Sequence, residues 1–215
     1  MKLNIKKSSL FMLIAFLASF VVIGWGIYFD ASWIVLMDDF GAQIFRLNIS
    51  SEASSMIYSF ARIGNISYLL LIAFIIALVL LFKKEIRNLF WFGFSMGLTG
   101  GLAPLVLKNV VRRGRPTDGL MTRSGYSFPS GHAMGSLALY GLVIMLAIIY
   151  IRKLWLRYTV MISCFAIILI ISWSRIHLGF HFFSDVVGSL FLGVSLQIVV
   201  WNVYLSISND KKKDN

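Results

Sequence analysis

Six long apolar segments, separated by short stretches that carry most of the charge, constrain this chain more than any other feature. Each is close to the length of about 20 residues that a helix needs to cross the hydrocarbon core of a bilayer. The candidate spans are 9–29, 63–82, 88–107, 131–151, 157–174 and 185–206. Their apolar residues do not alternate with polar ones, which excludes a porin-type barrel. The predicted fold class is therefore an all-α, polytopic membrane protein with six transmembrane helices.

Composition supports the same conclusion. Hydrophobic residues make up 59% of the 215 residues and charged residues only 13%, and the mean hydropathy is +0.83. Soluble domains are about 45–50% apolar and about 25% charged, so a soluble protein is excluded. Since neither an internal repeat nor a second domain is visible, residues 1–215 are expected to form a single membrane-embedded domain. The single cysteine, Cys164, lies in an apolar run and is interpreted as a small buried residue.

The distribution of Lys and Arg predicts the orientation of the spans. One side of the membrane would carry twelve basic residues against three acidic ones, and the other side eight against six. The more basic side is expected to be cytoplasmic, which places both termini in the cytoplasm. Five of the eight outer basic residues fall within 108–123. The net charge of +11 is therefore interpreted as membrane topology plus one site for an anionic ligand, with no nucleic-acid partner.

The outer loop 30–62 is longer than the other connections. Asp38 and Asp39 predict a helix start there, because carboxylates stabilise the positive end of a helix dipole. Apolar residues then recur at helical spacing at Phe40, Ile44 and Leu47. The pattern indicates a helix lying on the outer membrane surface.

The first of three polar clusters on the outer side ends the third span. Lys108, Arg112 and Arg115 are spaced i, i+4, i+7 and would share one face of a helix. Gly114 and Pro116 indicate that this helix stops there, so that Arg115 turns out of it as a fork for phosphate. The alternative interpretation is contact with lipid head groups at a helix end. Three basic residues of this stretch are interpreted only as supporting charge: Arg112, Arg113 and Arg123.

The second cluster is Phe128–His132, directly before the fourth span. Ser130 is a candidate N-cap, and the free N–H groups of a helix start, including that of Gly131, form a site for an anion. His132 would lie in the first turn, where it can give a proton to a leaving oxygen. The alternative is a capped helix with an incidental histidine.

The third cluster lies between the fifth and sixth spans. His181 and Asp185 are four residues apart and are predicted to face each other on one helical turn. A carboxylate on one ring nitrogen fixes the tautomer and leaves the other nitrogen as a nucleophile. Arg175 adds a second guanidinium for phosphate, and His177 is interpreted as an ordinary interfacial histidine.

All three clusters fall on the same predicted side of the membrane. Three cationic groups, a helix N-terminus, two histidines and a carboxylate fit phosphoryl transfer through a covalent phosphohistidine. No metal or other cofactor is expected, since Lys108, Arg115 and Arg175 supply the positive charge that Mg²⁺ supplies elsewhere.

Together the motifs resemble the three signatures of the type-2 phosphatidic acid phosphatases, in their integral membrane branch. The matching residues are Lys108-x6-Arg115-Pro116, Pro129-Ser130-Gly131-His132 and Ser174-Arg175-x5-His181-x3-Asp185. The resemblance implies that His181 attacks phosphorus, that His132 protonates the leaving oxygen and that Asp185 orients His181. It also implies which residues hold the phosphate oxygens: Lys108, Arg115, Ser130, Gly131 and Arg175.

The resemblance further implies that the substrate is a lipid phosphate or pyrophosphate and that the partners of the protein are membrane lipids. Undecaprenyl pyrophosphate, phosphatidylglycerophosphate and phosphatidic acid are the candidates, and a bacterial cell membrane with an extracellular or periplasmic catalytic face is the expected location. Two alternatives stay open. One is a lipid transporter or scramblase without enzymatic activity, although inverted repeats of the kind found in transporters are not visible. The other is a phosphotransferase that moves phosphate between lipids in the same pocket.

Overall fold

The computed structural model describes residues 7–119 and 124–210, and this part of the chain contains nine α-helices and no strand. The helices are α1 (Lys7–Tyr28), α2 (Ser32–Phe45), α3 (Ser51–Ala61), α4 (Ile66–Phe82), α5 (Ile86–Met96), α6 (Ala103–Val111), α7 (Gly131–Tyr150), α8 (Leu154–His177) and α9 (Phe183–Asp210). A 3₁₀ turn at Arg62–Gly64 joins α3 to α4, and a π-helical segment at Gly97–Leu102 joins α5 to α6. The all-α prediction is confirmed.

Five continuous helical stretches of the described residues are long and apolar enough to cross a membrane. They are α1, α7, α8, α9 and the stretch Ile86–Val111, which combines α5, the π-helical segment and α6. A sixth span is reached if Ser51–Gly64 and α4 count as one, bent by 42° at their junction. The polytopic architecture is thereby confirmed. The cytoplasmic placement of both termini remains a prediction.

Helix α7 forms the centre of the bundle and packs against α8 and α9, while α1 lies against the outside of α9. Its first turns consist largely of small residues, so neighbouring helices approach its backbone closely, as is usual between membrane helices. Leu69 of α4, Phe92 of α5 and Ile171 of α8 are fully buried against it. This packing fixes where the first turn of α7 lies relative to the C-terminal ends of α6 and α8.

The predicted helix start at Asp38 is wrong. Helix α2 begins six residues earlier, at Ser32, and Asp38 lies in its middle with only 7% of its surface exposed. The carboxylate is held by an ion pair with Arg113, and a tertiary contact of this kind is invisible to a dipole argument based on neighbouring residues. Phe40 and Ile44 lie on this helix as predicted and are exposed, but Leu47 lies beyond its end at Phe45, so the predicted helical continuation to Leu47 is wrong.

Two predicted helix boundaries near the polar clusters are also wrong. Helix α6 ends at Val111, and Arg112 adopts a left-handed conformation with φ of 53°, so Arg112 and Arg115 do not share a helical face with Lys108. Helix α9 begins at Phe183, so His181 precedes the helix that carries Asp185. Helix α6 thus ends before its predicted end and α9 begins after its predicted start, and in both places a turn, rather than a helical face, directs the side chains.

Candidate active site

The turn between α8 and α9 places His181 at the centre of the polar cluster. Gly179 has φ of +68°, a backbone conformation that residues with a side chain rarely adopt. A Cβ at this position would also lie only 2.5 Å from the Cα of Gly119, so the turn requires glycine. The backbone N–H groups of Phe180 and His181 both donate to the carbonyl oxygen of Arg175, at 3.0 and 3.2 Å. The turn is thus closed on α8 from one side and against the loop after α6 from the other.

The imidazole of His181 lies between a carboxylate and a guanidinium. Its Nδ1 is 3.5 Å from Oδ2 of Asp185, and its Nε2 is 3.3 Å from Nη1 of Arg115. The tautomer that satisfies both neighbours carries its proton on Nδ1 and leaves the lone pair of Nε2 towards Arg115. Burial is the main cause that lowers the pKa of His181 to about 4, and in that balance Asp185 acts to raise the pKa while Arg115 and Lys108 act to lower it. The ring is therefore neutral at physiological pH.

Asp185 is fully buried, and both of its carboxylate oxygens are occupied. Oδ2 accepts a hydrogen bond of 2.9 Å from the backbone N–H of Phe182, which precedes α9, so the third residue of the helix caps its own start. Oδ1 accepts from Nη1 of Arg113 at 2.6 Å. The carboxylate is thereby fixed in the orientation that directs Oδ2 towards His181.

Two arginines lie on either side of Phe180. Arg115 donates through Nη1 to the carbonyl oxygen of Phe180 at 2.8 Å and through Nε to that of Gly125 at 3.1 Å. Arg175 is 1% exposed, stacks its guanidinium 5.3 Å from the centre of the Phe180 ring and donates from Nε to Oγ of Ser174 at 3.1 Å. Both guanidinium groups are held by the protein before any anion binds.

The start of α7 is the second half of the cluster. The predicted N-cap is confirmed, because Oγ of Ser130 accepts from the backbone N–H of Ala133 at 3.4 Å. The N–H of Ser130 donates to Oγ of Ser189 at 2.7 Å, and Ser189 donates in turn to the carbonyl oxygen of Asp185 at 2.6 Å. These hydrogen bonds connect the start of α7 to the first turn of α9, which carries Asp185.

A cleft of about 490 Å³ opens in front of the first turn of α7. Lys108, Gly131 and His132 line it together with Asn65, whose Oδ1 is 2.7 Å from Nε2 of His132. The Nζ of Lys108 donates to the carbonyl oxygen of Tyr126 at 2.6 Å. The two predicted residues Lys108 and His132 therefore face one space.

An almost wholly apolar groove of about 520 Å³ runs on from this cleft between α4 and the stretch Ile86–Val111. The two spaces share Ile66 and Gly100 in their walls. Gly97 and Gly101 line the groove, and the positions that their side chains would take are open space. The cleft beside Lys108 and His132 thus adjoins an apolar groove along the membrane-spanning helices.

Two of the basic and histidine residues noted in the sequence make their contacts elsewhere. Arg112 is exposed and donates to the carbonyl oxygen of Asn109 at 2.9 Å. His177 is buried, accepts from the backbone N–H of Leu47 at 3.2 Å and stacks on Trp173. Arg123 lies outside the described residues.

Sequence reasoning missed three residues. Arg113 was expected to be mere supporting charge, but it contacts Asp185 directly. Asp38 on α2 and Asn65 before α4 approach the cluster from a part of the chain where no motif was seen. Two features of the sequence could have indicated these residues. Asp38 is an acidic residue within an otherwise apolar helical segment, and Asn65 is a polar residue between Gly64 and an apolar run.

The profile of the PAP2 superfamily matches residues 88–207, more than half of the chain. The chain belongs to the PAP2 superfamily. Phosphatidylglycerophosphatase B of Bacillus subtilis (strain 168) is 32% identical over 144 residues, which are 65% of this chain and 69% of that protein. This membership confirms the predicted resemblance and the predicted enzyme class, a lipid phosphatase.

A solved structure supports the fold over almost the whole length. It is the crystal structure described as the first transmembrane PAP2-type phosphatidylglycerolphosphate phosphatase, from Bacillus subtilis. Its TM-score is 0.78 at 24% sequence identity, and the match covers 92% of this chain and 98% of the other. Because the helices before residue 88 are included, the likeness extends the family architecture to α1–α4 and identifies a multi-pass membrane protein.

Proposed function

We propose that this protein removes phosphate from membrane lipids through a phosphohistidine formed on His181, without a metal or other cofactor. The observation that carries the proposal is the environment of the His181 ring. A carboxylate lies at Nδ1 and a guanidinium at Nε2, at 3.5 and 3.3 Å. The first orients the ring, and the second marks where an anion would be held against the nucleophilic nitrogen.

In the first step, Nε2 of His181 attacks phosphorus, and the bond from phosphorus to the leaving oxygen breaks. His132 supplies the proton that this oxygen takes up. In the second step, water attacks the phosphohistidine and gives a proton to His132, and the bond between phosphorus and nitrogen breaks to release phosphate. Asp185 stabilises the charge that His181 gains in the first step.

The phosphate oxygens would be held by the residues named from the motifs: Lys108, Arg115, Arg175, Ser130 and the N–H of Gly131. Support comes from their positions. The N–H of Gly131 belongs to the first turn of α7, where peptide dipoles attract an anion. The two arginines are fixed around Phe180, so little order has to be gained when phosphate binds.

The lipid class of the substrate is supported by the groove that continues from the cleft. Its apolar walls suit an acyl or prenyl chain, while Lys108 and His132 face the head group. The name of the relative makes phosphatidylglycerophosphate the first substrate to test. Undecaprenyl pyrophosphate is the second, because that lipid is released at the outer face of the cell membrane and the distribution of Lys and Arg in the sequence predicts an outward-facing site.

The direct test is phosphate release by detergent-purified protein in the presence of EDTA. Phosphatidylglycerophosphate, undecaprenyl pyrophosphate and phosphatidic acid are compared, with His181→Ala as the blank. We expect release that survives EDTA and is lost in the variant. Release that EDTA abolishes, or that His181→Ala retains, contradicts the mechanism.

The same assay separates the alternatives. Movement of a fluorescent lipid across vesicles with no phosphate released from any of the three substrates would indicate a transporter. Transfer of phosphate to a lipid alcohol in preference to water would indicate a phosphotransferase.

A further inference from the structure

A bridge of three charged residues lies next to His181, and none of the three lines the cleft of Lys108 and His132. Arg113 donates from Nη1 to Asp185 at 2.6 Å and to Oγ of Ser184 at 2.8 Å. Its Nη2 donates to Oδ2 of Asp38. The guanidinium also lies 4.2 Å from the centre of the Phe182 ring. We call this the Asp38–Arg113–Asp185 bridge.

Asp38 reaches the bridge from α2 and binds α9 as well. Its Oδ1 accepts from the backbone N–H of Ser184 at 2.8 Å, in the first turn of α9. The close approach of α2 depends on Gly41, since a Cβ there would lie 2.2 Å from Cβ of Phe183. Helix α2 thus holds the start of the helix that carries Asp185.

The charges of the bridge determine the state of Asp185. Asp38 and Asp185 are 7% and 0% exposed, so two carboxylates share one guanidinium with little solvent around them. Without that guanidinium, burial and mutual repulsion would favour protonation of one carboxylate. A protonated Asp185 no longer favours the tautomer of His181 with its proton on Nδ1.

We propose that Arg113 and Asp38 are positioning residues of the reaction, which keep the Asp185 carboxylate ionised and directed towards His181. The inference rests on the proposed function, since it assigns a role relative to His181. Asp38 lies outside the segment 88–207 that matches the family profile, so the N-terminal helices contribute to the chemistry. Neither residue faces the cleft that holds Lys108 and His132.

The test compares Arg113→Gln, which removes the positive charge, with Arg113→Lys. The lysine keeps the charge but lacks the two nitrogens through which the guanidinium contacts Asp185 and Asp38. We expect Arg113→Gln to lower kcat about 10–100-fold, the range for partners that orient a reacting group, with KM unchanged. We expect Arg113→Lys to recover part of that loss. Arg112→Lys is the matched control, because Arg112 is adjacent and exposed, and it should retain full activity.

The pH profile of kcat distinguishes this role from a packing defect. The charged groups that act on Asp185 are His181, Arg113, Lys108 of α6 and, through the bridge, Asp38 of α2, while Arg115 lies on the far nitrogen of His181. Because Arg113→Gln leaves the buried carboxylates of Asp38 and Asp185 without the cation that they share, it should lose activity towards acidic pH and regain part of it towards alkaline pH. Arg113→Lys and Asp38→Asn, which add no unpaired carboxylate, should not move the acid limb upwards.

A double substitution tests whether Arg113 acts through Asp185. In an Asp185→Asn background, Arg113→Gln should cost little further activity, because the group that it orients is already lost. Independent, multiplicative losses would overturn the proposal, and so would an Arg113→Gln enzyme with normal kcat. If Arg113→Gln fails to fold, Asp38→Asn carries the test, with an expected loss in kcat of about tenfold. An inactive wild-type protein would instead refute the proposed function.

Discussion

The segment 88–207 and the helices before it differ in what they contribute to the site. The first supplies the two histidines, Asp185 and the cationic groups, each recognisable from a motif. The second supplies Asp38 and Asn65, which contact Arg113 and His132 and carry no motif. The difference indicates that the motifs mark the groups proposed to bind phosphate and the orienting Asp185, while the further contacts made by Arg113, Asp38 and Asn65 are visible only in the fold. It predicts large losses of activity from the first region and smaller ones from the second.

The largest effect is expected from Arg115→Lys. The guanidinium of Arg115 contacts the carbonyl oxygens of Phe180 and Gly125 and the ring of His181 at the same time. The single amino group of lysine cannot make all three contacts. Loss of a preorganised donor to a transition-state anion costs about 10²–10³-fold, so kcat/KM should fall by that factor. The measurement is phosphate release, with Arg112→Lys as control. A loss of less than threefold, roughly 0.6 kcal/mol, would remove Arg115 from the site.

The second effect concerns the protonation of His181. The chain has only three histidines, so their ring resonances can be assigned in detergent by single substitutions. We expect the His181 pKa near 4, below the ordinary 6.5, so that the ring stays neutral as the pH falls through 6. Asp185→Asn should lower this pKa further, because Asp185 opposes the shift. Titration of His181 near 6.5 would contradict the buried, neutral nucleophile.

A smaller effect is expected from Asn65→Leu, in the second region. The side chain of Asn65 makes no capping hydrogen bond to α4, so its removal leaves the helix start intact. It removes the acceptor 2.7 Å from Nε2 of His132, and we expect kcat to fall about tenfold. Ser67→Ala, in the wall of the same cleft, is the matched control. Equal losses in both variants would mean that the cleft, not the contact with His132, is disturbed.

The smallest effect is expected from Gly97→Leu in the apolar groove. Gly97 lines the groove and a Cβ there meets nothing within 4 Å, so we expect the larger side chain to narrow the groove. Discrimination in apolar pockets is modest, and kcat/KM for a long-chain substrate should fall about tenfold or less. A short-chain phosphate ester serves as the control and should be hydrolysed at the normal rate. Equal loss for both substrates would place the lipid chain elsewhere.

The parts of this structure that local patterns determine were predictable from the sequence. The apolar runs and the resemblance of the three motifs indicated the spans and the family, and Ser130 was recognised as an N-cap because a cap is a contact within one turn. The boundaries near Arg112 and His181 were wrong, since each is set by a turn packed against another loop. Asp38 and Asn65 were missed because each is 67 or more positions from its partner, a separation that no spacing rule covers.

The central claim is a covalent phosphohistidine on His181, and the most direct measurement is rapid quenching of the EDTA-treated protein with a lipid substrate labelled in its phosphate. We expect label on the protein that is stable in alkali, is lost in acid as phosphoramidates are, maps to His181 and is absent from His181→Ala. Label that survives acid, that maps to another residue or that persists in His181→Ala would contradict the account.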